Sequence, residues 1–69
     1  MLESIPGEII SKAAAMLPDA NSAPDEPHNI AMPYNRRRIL ITFRRFQYTH
    51  GKTTLWFWTA TGAALLEKK

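Results

Sequence analysis

The sequence predicts an α+β fold: an N-terminal helix packed on a two- or three-stranded antiparallel sheet with a central β-hairpin, and a short C-terminal helix. Three observations predict it. Two runs rich in β-branched and aromatic residues, Ile39 to Tyr48 and Thr53 to Thr59, flank Thr49-His50-Gly51-Lys52, a short segment with turn chemistry. Six of the seven aromatic residues fall between Phe43 and Trp58. Before them, apolar residues recur at intervals of three and four, the period of an amphipathic helix.

The organisation reads as one small domain: helix over 1–17, a Pro-rich linker over 18–32, and a basic aromatic hairpin with a short helix over 33–69. In the first segment Ser4 can cap the helix, and Pro6 falls in its first turn, where a missing N–H costs little. Leu2, Ile5, Ile9, Ala13 and Met16 make one apolar stripe, widened by Ile10, Ala14 and Leu17. Glu8 and Lys12 form an i,i+4 pair beside it, and Pro18 ends the helix. The stripe is expected to cover one face of the hairpin.

The linker holds three prolines between Pro18 and Pro27 and shows no apolar period. Asn29 to Met32 suits a short third strand at a sheet edge, closed by Pro33. Strands over 39–48 and 53–60 follow. A two-residue turn centred on His50-Gly51 would set Arg45 opposite Trp56 and Phe43 opposite Trp58. Ile41, Phe43, Arg45, Trp56, Trp58 and Ala60 then share one face, and Thr42, Arg44, Phe46, Tyr48, Leu55 and Phe57 share the other. Neither face is polar, so both are expected to need cover. After the second strand, Thr59 or Thr61 can cap a helix from Gly62 to Glu67, with Lys68-Lys69 at its negative end.

With 69 residues the chain buries only about 60% of its unfolded surface. It has no cysteine, so neither a disulfide nor a thiolate metal site staples it. A homodimer or an obligate complex is the natural remedy for so small a core. The start Met1-Leu2-Glu3 lacks signal-peptide character, and the uncharged run from Thr53 to Leu66 is too short and too Thr-rich to span a membrane. The expectation is a cytoplasmic protein with no membrane contact.

The net charge of +3 is unevenly placed. Residues 1–32 carry Lys12 against five acids, a net −4, while residues 33–69 carry eight cations against Glu67, a net +7. A basic half of this kind attracts nucleic acid or an acidic protein surface.

Catalytic and metal chemistry find no support. Gly51-Lys52-Thr53 resembles the end of a phosphate-binding loop, but Phe46 stands where that motif needs its first Gly, and a strand follows where it needs a helix. His28 and His50 are the only histidines and lack a third ligand at a recognisable spacing. No serine or pair of carboxylates suggests a reacting centre. The expectation is no enzyme activity, no cofactor and no metal.

What remains is arginine beside aromatics. Guanidinium groups contact phosphates and stack on rings, and aromatic faces stack on bases. The sequence points to a non-enzymatic nucleic-acid-binding accessory or regulatory protein, with Arg36, Arg37, Arg38, Arg44, Arg45, Lys52, Trp56 and Trp58 as the binding residues. The alternative is a protein–protein interaction module, such as an inhibitor from a phage or other mobile element, that docks its aromatic hairpin on a partner protein.

Overall fold

A computed structural model describes residues 2–66. Its elements are a 3-10 turn at Leu2–Ser4, helix α1 at Gly7–Ala14, and strands β1 at His28–Tyr34, β2 at Arg37–His50 and β3 at Thr53–Leu66. The strands form one antiparallel sheet in the order β1-β2-β3. The long axis of 49 Å follows from strand length, since 14 residues at about 3.4 Å each span roughly 47 Å.

The N-terminal helix and the three-stranded antiparallel sheet agree with the sequence. The short C-terminal helix does not form. Gly62 to Leu66 continue β3 instead, pairing with Thr42 down to Arg38; Glu67, Lys68 and Lys69 lie outside the described residues. The physical reason is the length of β2. Its lower half exposes backbone N–H and C=O groups on the β3 side, and extending β3 satisfies a whole ladder of them. That gain exceeds the weak helical preference of Ala63-Ala64-Leu65-Leu66.

Helix α1 is also shorter than expected. Pro6, not Ser4, precedes it, and no side chain caps it. Its end tightens before Pro18: the N–H groups of Met16 and Leu17 donate to the carbonyls of Ala13 and Ala14 at 3.0 and 3.1 Å. That tightening turns Met16 out of the stripe into solvent, whereas Ile5 and Ala13 are buried and Ile9, Ile10, Ala14 and Leu17 pack beside them.

The core lies between α1 and one face of the sheet. Ile39, Ile41 and Phe43 are its largest fully buried side chains. Ile30, Met32 and Tyr34 of β1 and Trp58, Ala60, Ala63 and Leu65 of β3 pack around them. The Tyr34 hydroxyl donates to the Ser4 carbonyl at 3.2 Å, fixing the entry of the chain.

Two turns set the registers. Between β1 and β2, Asn35 and Arg36 both have positive φ, 52° and 63°, with Tyr34 opposite Arg37. That is the I′ pattern. Between β2 and β3 the central residues are Gly51 and Lys52, with His50 opposite Thr53. Only Gly51, at φ +64°, is left-handed. The register is therefore two residues away from one centred on His50-Gly51: Arg45 pairs with Trp58, Gln47 with Trp56 and Phe46 with Phe57. A shift of two preserves the faces. A β-bulge follows at Thr61, the extra residue between the Phe43–Ala60 and Thr42–Gly62 pairs.

These turns yield a pair of stability predictions of opposite sign. Arg36→Gly relieves a left-handed arginine and should stabilise by about 1 kcal/mol. Gly51→Ala, where a Cβ meets open space, should cost a similar amount through the backbone alone. Urea midpoints of the two variants check both; equal shifts in the same direction would contradict the assigned turns.

Candidate nucleic-acid interface

The sheet has one covered face and one open face. α1 and the linker lie on the side of Ile39, Ile41, Phe43 and Arg45. On the opposite side, Phe46, Tyr48, Leu55 and Phe57 are 44, 58, 53 and 45% exposed. Cross-strand pairing arranges them as a ladder, Phe46 beside Phe57 and Tyr48 beside Leu55. The Phe46 and Phe57 rings stack with centroids 6.3 Å apart, and the Tyr48 and His50 rings lie 6.3 Å apart and 7° from parallel.

The sequence-derived binding residues fall into four groups. Arg36, Arg37 and Arg38 stand at the β1–β2 end of the sheet, all exposed. Lys52 stands at the hairpin tip, roughly 45 Å away along β2. Arg44 lies between them on the open face, exposed. Arg38 shares that face, since it is separated from Arg44 by an even number of residues.

Arg45, Trp56 and Trp58 form the fourth group, and the linker engages all three. The Arg45 side chain is only 10% exposed. Its Nη1 donates to the Ala20 carbonyl at 2.8 Å, its Nη2 lies 3.9 Å from Asp25 Oδ1, and its guanidinium sits 4.1 Å from the Trp56 ring centroid. Arg45 Nε is buried without a hydrogen-bond partner. The Trp58 indole N–H donates to the Pro18 carbonyl at 2.8 Å, and its ring meets His28 edge-on at 5.4 Å. The outward N–H of Trp56, on the free edge of β3, donates to Asn21 Oδ1 at 3.2 Å. Asp19 shapes this segment, its carboxylate accepting from the Asn21 backbone N–H at 3.1 Å. The linker is thus a clasp over the upper half of the sheet, and its own Ala20 and Ala23 are buried.

The two faces are those that the alternation predicts, and Trp56 and Trp58 of the sequence-derived set lie on the covered one. Phe46, Tyr48 and Phe57 are the rings that face outward. The alternation was legible; which face the linker covers was not, because a Pro-rich segment without apolar periodicity gives no docking signal.

Charge follows the same division. From His28 to Leu66 the chain carries six cations and no Asp or Glu. The acids Glu8, Asp19, Asp25 and Glu26 belong to α1 and the linker, on the covered side. Of the cations, Arg38 and Arg44 stand on the open face, where no Asp or Glu of the described strands accompanies them, while Arg37 and Arg45 fall on the covered side. Among the described residues, no three His, Asp or Glu side chains group as metal ligands, and no helix is long and apolar enough to cross a membrane. Comparison with protein-family models, with curated proteins and with solved structures finds no match, so the functional reading rests on this geometry alone.

Proposed function

We propose that this is a non-enzymatic nucleic-acid-binding accessory or regulatory protein that binds through the sheet. The observation that carries the reading is the co-location of exposed rings with uncompensated cations. Phe46, Tyr48 and Phe57 stand on a sheet that, with its turns, carries five exposed cations and, from His28 to Leu66, no acid. Arg36, Arg37, Arg38, Arg44 and Lys52 are free to reach phosphates, while Arg45 serves the clasp.

A salt titration tests it. Neutralising three to five phosphates gives log K a slope against log salt of roughly −3 to −4.5 on duplex DNA and roughly −2 to −3.5 on a single strand. Replacing Arg36, Arg37 and Arg38 by Ala should make the duplex slope shallower by roughly 0.9 for each phosphate those arginines neutralise. Absence of binding to either form at low salt would sink the reading.

A second reading has its own observation. Leu55 stands among the exposed rings and offers a nucleic acid little, whereas a protein partner would bury it. A protein-docking hairpin would lose most affinity on truncation of Phe57 or Leu55 and depend weakly on salt. For self-association, the free edge of β3 below Trp58 is the candidate surface, being uncharged down to Leu66. Sedimentation at high micromolar concentration checks this, and a monomer there would remove it.

A further inference from the structure

We infer that the open face is a stacking platform for an unpaired nucleic-acid strand, centred on Phe46, Phe57 and Tyr48. The inference rests on the nucleic-acid reading above and deepens it by naming the form of the ligand and the face it occupies.

The geometry favours a single strand over a duplex. Base pairs in a duplex present only their edges to a protein, so rings on a protein surface gain nothing from them. Unpaired bases expose their faces, and aromatic side chains stack on these whatever the base. Phe46 and Phe57 are cross-strand partners standing side by side on the sheet. Tyr48 lies two residues further along β2, roughly 7 Å away, with His50 stacked beyond it. Cations bracket this row. Arg44 lies just below Phe46 on the same face, and Lys52 closes the tip above His50. A strand laid along β2 would therefore meet ring faces in the middle and cations at both ends.

The same charges disfavour a second copy as the occupant. Two open faces pressed together would set Arg38 and Arg44 of one chain against those of the other, with no Asp or Glu among the described strand residues to pair with them. An anionic ligand removes that conflict.

The clasp gives an internal spectroscopic control. Trp56 and Trp58 engage the linker on the covered side through Arg45 and the Pro18 carbonyl. A ligand on the open face leaves their surroundings alone.

The test is an anisotropy titration of labelled oligothymidylate and of a duplex of equal length, at low salt, against the wild-type chain and the variants Phe46→Leu, Phe57→Leu and Phe57→Tyr. Leu keeps apolar bulk and removes the ring, while Tyr keeps the ring. The fold of each variant is checked by its urea midpoint, and Arg44→Ala serves as a second probe should a Phe variant be unstable. The expected result is tighter binding of the single strand. Each Leu variant should weaken it by roughly five- to 150-fold, Phe57→Tyr should bind nearly as wild type, and tryptophan emission should be unchanged at saturation. Duplex bound as tightly as single strand, or Leu variants that bind as wild type, would overturn the platform and leave the broader nucleic-acid reading standing. Quenching of tryptophan emission would place the ligand at the clasp and likewise overturn it. No binding of either oligonucleotide would remove both.

Discussion

Phe43→Ala is expected to destabilise the fold by about 3–5 kcal/mol, the usual cost of emptying a buried aromatic site. Phe43 is 1% exposed and sits at the centre of the core beside Ile39 and Ile41. Small domains hold only about 5–15 kcal/mol in total, so this one change approaches complete unfolding at ambient temperature. Phe46→Ala, three residues along the same strand, should cost well under half as much, because Phe46 already keeps 44% of its surface in water. Urea unfolding of the two variants measures the contrast. Similar losses would mean that the open face is as well packed as the covered one, and the binding proposals would lose their surface.

Arg45→Ala should cost about 1.5–3 kcal/mol, the range for a hydrogen bond to a charged group whose neutral partner is left unsatisfied. The Ala20 carbonyl would lose its donor, and Trp56 would lose the guanidinium stacked on it. Arg45→Met should cost less. It keeps an unbranched stem over Trp56 and removes the unpartnered Nε from its buried position. Arg45→Lys, although it preserves charge, gives up the planar fork and is expected to fall nearer to Ala than to wild type. Two local probes report the clasp directly: the Trp58 indole N–H chemical shift and hydrogen exchange at the Trp56 amide, which Asn21 accepts. Both should move toward solvent values in Arg45→Ala. Wild-type stability with both probes unmoved would show that the linker is held by something other than Arg45.

The hairpin was the legible part of the fold, because its signal is local. β-branched and aromatic runs around Gly51 announce strands, and period-two alternation assigns each residue to a face whatever the register. Residues beyond those runs were less legible. Ala63 to Leu66 read as helix from composition, yet they are strand because Arg38 to Thr42 need a ladder partner. The I′ turn at Asn35-Arg36 was hidden by an arginine where glycine is the usual sign. The site was half legible for a similar reason. Charge asymmetry could be counted along the chain, and Arg36, Arg37, Arg38, Arg44 and Lys52 do stand free. The assignment of Arg45, Trp56 and Trp58 depended on where residues 18–26 settle, and no short-range rule fixes the path of such a segment.

The extra residue at Thr61 bears on which changes of chain length the hairpin can absorb. Above it Trp56, Trp58 and Ala60 point to the core side; below it Ala63 and Leu65 do. The bulge thus switches the inward set from even to odd positions. Removing Thr61 would leave Gly62 opposite Thr42 and Ala63 opposite Ile41, so every side chain would keep its side and only the local bend would be lost. Removing one residue from Leu55 to Thr59 would instead turn over only the residues between the deletion and Thr61, which then falls into the ladder opposite Phe43 as the bulge closes. A single-residue deletion scan of β3 should therefore be most permissive at Thr61 and Gly62 and grow less tolerant toward Leu55, as more residues are turned over.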